Sequence, residues 1–150
     1  MSIDPEKFTQ KAAEALNNAN AAAVTAGNTS VTAERALLCM LDQFESVVLP
    51  TLKKIGVEPN VLRHQCEAKV KTEVMVTGSI NEPVIDMELY RILEAADNER
   101  AVMGDDFVST EHMLLAMSRS TSKIGDMLRA SDVSYEAILD ALKEIRGSHR

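Results

Sequence analysis

The chain has 150 residues, which is within the ordinary size of one folded domain and is enough to bury a core without disulfides or metals. Aromatic residues make up 3% and tryptophan is absent, so aliphatic side chains must fill that core, which suits helices packed on helices. The formal net charge of −7, without any basic run, argues against nucleic acid and anionic membranes as partners. No apolar run approaches the roughly 18 residues of a membrane span, and Met1 to Asp4 lack the pattern of a signal peptide, so we expect a cytoplasmic location.

The first helix is predicted to begin at Asp4 and Pro5, because aspartate is a favoured N-cap and proline suits the first helical position. Apolar residues then follow at helical spacing, namely Phe8, Ala12, Ala15, Leu16, Ala19 and Ala23. Gly27 provides a left-handed stop, and Thr32 is the predicted N-cap of a second helix.

Two shorter helices and a linker are predicted next. The third helix spans about residues 48–55 and stops at Gly56, and Pro59 opens the fourth helix. Residues 73–85 are rich in turn-forming residues and are predicted to be a linker. Residues 72–76 could form a short extended stretch, which we do not count as a strand.

The second half of the chain repeats this plan with its own caps and its own glycine stop. Asp86 is the predicted cap of a fifth helix that Gly104 ends, and Ser109 is the predicted cap of a sixth. Ser122 and Ser134 precede the seventh and eighth helices, and apolar residues follow each of them at helical spacing.

The two halves align residue by residue at an offset of 77 positions, from Gly27 to Gly104. Thr32 then falls on Ser109, and the apolar residues of the next helix coincide. Self-similarity at a fixed offset indicates an internal repeat. The sequence therefore predicts an all-α fold, in which two pseudo-twofold repeats of four helices pack as one eight-helix domain.

The predicted domain covers residues 1–150, with the first repeat at about 4–72, the linker at 73–85 and the second repeat at about 86–147. Neither repeat alone would bury its apolar faces well, so we expect the two to share one core.

Motifs for nucleotide or metal chemistry are missing from the sequence. It has no phosphate-binding glycine loop and no cluster of histidine and cysteine, so no cofactor is predicted. Cys39 and Cys66 form no C-x-x-C pair and are interpreted as reduced, buried thiols, with a disulfide or a reactive thiol as alternatives.

Three residues, Asp105, Ser109 and His112, have the residue types of a hydrolytic triad, but we reject that interpretation. Ser109 is explained as an N-cap, Asp105 as a turn residue and His112 as a residue of the first helical turn. The first repeat does not keep the constellation, since its equivalents are Asn28, Thr32 and Arg35. We therefore predict that the chain has no active site of its own and is not an enzyme.

The segment from Gly104 to Ala116 resembles the signature S/T-x-E-H-x-L-L-x-L of the Clp N-terminal domain family. Residues 32–38 resemble the first copy of that signature, although Arg35 stands where the family often has histidine. The resemblance extends over about residues 5–147. The turn after Gly104 and the linker are similar to those of the ClpB disaggregase type, more than to those of the ClpC and ClpA types.

The resemblance implies a non-catalytic recognition domain at the N-terminus of a homohexameric AAA+ ATPase that threads proteins through a central pore. Its partners would be unfolded or aggregated proteins, or adaptors. ATP would be bound only by modules beyond Arg150, and the isolated domain would be a monomer. Two alternatives stay open, namely an adaptor-docking domain of a ClpC- or ClpA-type unfoldase and a free-standing interaction protein.

The resemblance also implies where clients bind. Polar contacts are expected at Thr9, Asp105 and Glu111, and an apolar groove is expected between the two repeats. Groove positions that are usually apolar in the family are Ala95, Glu99 and His112 here, so Leu93 is the clearest apolar residue. The implied client-binding residues are therefore Thr9, Leu93, Ala95, Asp105, Glu111 and His112.

Overall fold

The computed structural model describes residues 4–77 and 82–148, and eight α-helices lie within them. The first repeat contains α1 Gln10–Ala26, α2 Ala33–Leu41, α3 Val48–Ile55 and α4 Pro59–Val70. The second contains α5 Met87–Met103, α6 Thr110–Arg119, α7 Lys123–Ala130 and α8 Tyr135–Ser148. The predicted all-α fold of two four-helix repeats is confirmed. Two stretches named in the predictions, Met1 to Ile3 and residues 78–81 of the linker, lie outside the described residues.

Helices α1, α2, α5, α6 and α8 each follow a side chain that accepts a hydrogen bond from the first turn. The Asp86 carboxylate accepts the backbone N–H of Leu89 at 2.8 Å, and the Thr32 hydroxyl accepts that of Arg35 at 3.2 Å. Such caps satisfy N–H groups that have no partner within the helix. Gly104 follows α5 with a φ of 71°, in the left-handed region that glycine adopts without strain. These caps and this stop lie where the sequence predicts them.

The start of the first long helix was predicted wrongly. Asp4 caps only a short 3₁₀ turn, Pro5–Lys7, and α1 begins at Gln10 with Thr9 as its N-cap. The chain is extended at Phe8 because its neighbours bond to the other repeat: Thr9 N–H donates to the Val108 carbonyl at 2.9 Å. Thr9 therefore precedes α1 instead of lying one turn into the helix.

The predicted linker is partly a strand, which the sequence analysis did not expect. Strand β2, Val84–Ile85, pairs in parallel with β1, Ser30–Val31, and Asp86 N–H donates to the Val31 carbonyl at 3.1 Å. At the other end of the linker, the Val76 N–H donates to the Gly27 carbonyl at 2.9 Å. The linker is thus bonded to the first repeat at both of its described ends.

The two repeats are interlocked by a pair of equivalent backbone contacts. Phe8, before α1, pairs in parallel with Val108, before α6, while Ile85, before α5, pairs with Val31, before α2. The same offset of 77 positions relates the two pairs. Each repeat therefore pairs the segment before its first helix with the segment before the second helix of the other repeat.

The core lies at the junction of the repeats, around α6. Residues 112–118 of α6 are all buried, and this helix contacts α2 and α3 of the first repeat as well as α5, α7 and α8. One cluster of buried apolar residues draws on both repeats. This shared core holds the loop before α6, which carries the candidate site, in a fixed position.

Both cysteines are free thiols, as one of the sequence interpretations proposed. Cys66 is buried in α4, and burial raises the pKa of its thiol to about 12. Cys39 is half-buried, and burial raises its pKa as well. A thiol with a raised pKa holds little thiolate at neutral pH and is a poor nucleophile.

Candidate functional site

Two of the predicted polar residues, Asp105 and Glu111, are joined by a residue that the sequence analysis did not single out. Arg146, near the end of α8, donates from Nη1 to Asp105 Oδ1 at 3.1 Å and from Nη2 to Asp105 Oδ2 at 2.7 Å. Its Nη2 also lies 3.1 Å from Glu111 Oε2. One guanidinium thus bridges both carboxylates.

His112 lies behind these carboxylates, with its side chain only 1% exposed. Its Nδ1 accepts the Ser109 backbone N–H at 2.8 Å, so Nε2 carries the proton and donates to Asp105 Oδ2 at 2.7 Å. A client could not reach this buried ring. His112 therefore orients Asp105 and caps α6, and its implied direct contact with a client is not supported.

Asp105, Ser109 and His112 do come together, which the sequence analysis did not expect. The Ser109 hydroxyl lies 3.0 Å from His112 Nδ1, but it also accepts the His112 backbone N–H at 3.4 Å as the cap of α6. Ser109 is itself buried. The three residues form a capping network in the interior, which agrees with the structural roles assigned to them.

The equivalent residues of the first repeat do not keep the residue types of the constellation, but they form a network of similar geometry. Arg35 Nη2 donates to Asn28 Oδ1 at 2.7 Å, and the Arg35 N–H donates to the Thr32 hydroxyl. The Thr32 hydroxyl in turn donates to Glu73. The positions of the two charges are reversed between the repeats. In the first repeat the network contains the cation, Arg35, and faces Glu73. In the second repeat the network contains the anion, Asp105, and faces Arg146. The same network geometry recurs in both repeats with different residue types, which supports a structural role for these residues.

Thr9 is connected to this network by a backbone hydrogen bond. Its N–H donates to the carbonyl of Val108, the residue before Ser109, and its side chain caps α1 by accepting the Ala12 N–H at 3.2 Å. The structure therefore brings Thr9, Asp105 and Glu111 to the loop between α5 and α6. An apolar residue of that loop, Phe107, is 51% exposed, and no sequence argument had singled it out.

Leu93 and Ala95 lie elsewhere on α5. Leu93 is partly buried and packs against the core. Ala95 lines a cavity of about 660 Å³ together with Ile92, Glu99 and other residues of α5, α6 and the loop after α6. The residues that line this cavity all belong to the second repeat. Arg119 and the Tyr135 hydroxyl both donate to Glu99, at 3.1 and 2.7 Å, which makes the cavity partly polar.

A smaller cavity of about 280 Å³ does lie between the repeats. Glu34, Glu73, Asp86 and Lys123 are among its lining residues. Burial raises the pKa of Glu34, the repeat equivalent of Glu111. The sequence analysis missed this cavity, because its lining residues come together only through the packing of the two repeats.

Asp105 is expected to contribute stability that acid removes. Its hydrogen bond with Arg146 holds the pKa of the Asp105 carboxyl below its ordinary value, although partial burial opposes this effect. A carboxyl whose pKa is lower in the folded state stabilises the protein at pH values above its ordinary pKa of about 3.9. This stabilisation is lost as the pH falls further. We expect Asp105→Asn to cost about 1 kcal/mol at pH 7 and to make the acid loss of stability shallower.

Urea denaturation of both proteins between pH 7 and pH 2.5 checks this expectation. Asp106→Asn is the matched control, because Asp106 is the exposed neighbour of Asp105. Parallel stability curves for wild type and Asp105→Asn below pH 4 would contradict the assigned ion pair.

Two interlocked helical repeats with a hydrogen-bonded polar network beside their contact define a duplicated helical domain. A family model described as the Clp repeat (R) N-terminal domain matches residues 7–131. The chain therefore belongs to the Clp N-terminal domain family.

Known relatives agree with this assignment. The chaperone protein ClpB of Mycobacterium leprae is 30% identical over 148 residues, which are 99% of this chain and 18% of that protein. The Hsp104 N-terminal domain from Candida albicans has a similar structure, with a TM-score of 0.81 at 21% identity, covering 97% of this chain and 95% of that domain. A complex of the ClpV N-domain with a VipB peptide gives a TM-score of 0.70 at 18% identity, with 94% of each chain covered. The chain thus spans about 18% of the length of the curated relative it matches.

Two further properties concern the described part of the chain alone. Within residues 4–77 and 82–148, no group of three or more His, Cys, Asp and Glu side chains is placed to hold a metal ion. In the same residues, no helix is both long enough and apolar enough to cross a membrane.

Proposed function

We propose that this chain is the substrate-recognition domain of a ClpB-type ATP-dependent disaggregase. It binds unfolded or aggregated polypeptide and passes it to a homohexameric ATPase ring in the cytoplasm. The domain itself is monomeric, holds no cofactor and performs no catalysis. Family membership and the similarity to ClpB over nearly the whole chain support this role.

The observation that carries the proposal is a surface with both apolar and polar groups at the repeat junction. We call Thr9, Asp105, Phe107 and Glu111 the junction surface. An unfolded segment presents apolar side chains together with unpaired backbone amides, so it needs an apolar contact beside hydrogen-bond acceptors. Phe107 provides the apolar contact, and the carboxylates of Asp105 and Glu111 provide the hydrogen-bond acceptors.

Binding at the junction surface should be weak. An extended client loses conformational entropy when it docks, which offsets much of the contact energy. A small surface also limits affinity, since it buries little apolar area. Weak binding suits a domain that must release its client to a pore.

A second candidate is docking of a specific partner protein, as in an adaptor-binding N-domain. It is favoured by the complex in which a ClpV N-domain of the same fold holds a VipB peptide. A partner of that kind would bind as one defined sequence, whereas the disaggregase role requires binding to unrelated unfolded chains.

Phe107→Ser should weaken client binding about fivefold, because it removes a half-exposed aromatic side chain worth about 1 kcal/mol of apolar contact. The measurement is fluorescence anisotropy with a labelled, reduced and carboxymethylated protein that cannot fold. Phe44→Ser is the matched control, since Phe44 is also exposed, at 83%, but belongs to the loop between α2 and α3. Circular dichroism checks that both variants stay folded.

Equal affinities for wild type and Phe107→Ser, or a larger loss in Phe44→Ser, would place the client elsewhere. Binding of one VipB-like peptide but of no unfolded protein would support the adaptor role instead.

A further inference from the structure

The acidic side chains of the junction surface are already occupied by a residue of this chain. Arg146 bridges Asp105 and Glu111 through three contacts of 2.7 to 3.1 Å. We propose that Arg146 is an internal competitor of the client, which must displace the guanidinium before it can bind these carboxylates. We call this arrangement the Arg146 latch, and it rests on the proposed function above.

While the Arg146 latch is closed, the Asp105 carboxylate has little capacity to accept further hydrogen bonds. Arg146 bonds to both of its carboxylate oxygens, and Oδ2 also accepts the proton of His112 Nε2. A client donor can therefore gain a strong bond to Asp105 only if one of these partners leaves.

Of the two partners of Asp105, only Arg146 can leave without disturbing the fold. His112 is buried and is held by the Ser109 backbone N–H. The Arg146 side chain is 37% exposed and lies in the last turn of α8, near the end of a helix. Partly exposed ion pairs contribute little net stability, and helix ends fray at low cost. The guanidinium can rotate into solvent while the rest of α8 stays packed.

The pair of carboxylates that Arg146 binds is not kept at the equivalent positions of the first repeat, which are Asn28 and Glu34. In the first repeat, the position of Asp105 is taken by Asn28, which has no charge and is bonded by the Arg35 side chain, 11% exposed. The repeats thus share a capping network, but Asn28 in the first repeat is an uncharged amide where the second repeat has the Asp105 carboxylate that Arg146 binds. A client that displaces Arg146 would therefore meet two carboxylates in the second repeat, those of Asp105 and Glu111.

The test is client affinity of Arg146→Gln, measured by anisotropy with the same carboxymethylated protein. Removal of the competitor should tighten binding about three- to tenfold, the range expected for loss of partly exposed ion pairs. Arg63→Gln is the matched control, because Arg63 also bridges two carboxylates, those of Asp42 and Glu67, and its side chain is 36% exposed. Arg63→Gln should bind as the wild type does.

The outcomes separate the latch from the proposed function. If wild type binds and Arg146→Gln binds equally or more weakly, the latch is wrong while the recognition role stands. If neither protein binds any unfolded client, the recognition role fails and the latch fails with it.

A second measurement on the wild-type protein covers the case in which Arg146→Gln does not fold. The Nη–H signals of Arg146, whose Nη1 and Nη2 bond to Asp105 and Glu111, should be protected from solvent exchange in the free protein and should lose that protection as client is added. An unchanged signal at saturating client would overturn the latch.

Discussion

Replacement of Gly125 by alanine is expected to destabilise the protein by about 1–3 kcal/mol, although the same change in a helix usually stabilises by up to about 1 kcal/mol. A Cβ atom at Gly125 would lie 1.9 Å from the Ser120 carbonyl oxygen and 2.8 Å from Arg129 Nη1. The carbonyl cannot retreat easily, because Arg129 donates to it at 2.8 Å. The loop between α6 and α7 would have to move or lose this bond. Urea denaturation, followed by circular dichroism, measures the change in the free energy of unfolding.

Gly147→Ala is the matched control for this substitution. Gly147 also lies in a helix, near the end of α8, and a Cβ atom there would meet nothing within 4 Å. We expect this variant to be as stable as wild type or slightly more stable. A Gly125→Ala protein as stable as Gly147→Ala would show that α7 does not pack against the preceding loop as described.

His112→Ala should cost about 2–4 kcal/mol, because it combines a buried cavity with the loss of paired polar groups. The ring is 1% exposed, and its removal leaves the Ser109 N–H without its acceptor. Asp105 also loses one of its donors and depends on Arg146 alone among its side-chain partners. Thermal and urea denaturation should both show the loss.

His64→Ala provides the control, since His64 is exposed on α4 and should change stability by no more than about 0.5 kcal/mol. A similar small effect at His112 would contradict its role as the centre of the capping network. It would also reopen a direct contact between His112 and the client.

The helices could be predicted because their signals are local. Thr32, Asp86 and Ser109 are caps whose partners lie three residues away, and Gly104 ends α5 through its own backbone conformation. Apolar residues at helical spacing then show which face is buried. The repeat offset strengthened each assignment, since a signal seen in one half could be checked in the other.

The strands could not be predicted, because each is two residues long and its partner is distant in sequence. Ile85 pairs with Val31, and Phe8 pairs with Val108, across separations that no periodic pattern reveals. The same contacts explain the wrong start of α1. Asp4 is a good local cap, but the backbone bond from Thr9 to Val108 holds the intervening chain extended.

The candidate site was predictable only in part. Asp105 and Glu111 lie in the motif that carries the family resemblance, so the sequence indicated both. Arg146 lies 41 and 35 residues away from them, and it reaches them only because α8 packs beside α6. Nothing in the pattern of α8 separates Arg146 from an ordinary basic residue in the last turn of a helix.

The apolar groove between the repeats stays a prediction that rests on the resemblance. Leu93 and Ala95 were assigned by resemblance, whereas the helix packing decides which residues share a surface. That packing turns Leu93 toward the core and Ala95 toward a cavity within the second repeat. Phe107, two residues after Asp105, is an exposed apolar residue of the loop that carries the site.

The central claim is that unfolded clients bind at the junction of the two repeats. Chemical-shift mapping of the labelled domain with a carboxymethylated, unfolded protein tests it most directly. The account predicts shifts at Thr9, Asp105, Phe107 and Glu111, with a change at the Arg146 side chain. Shifts confined to the Phe44 loop or to the cavity beside Ala95, with Asp105 and Glu111 unmoved, would contradict it.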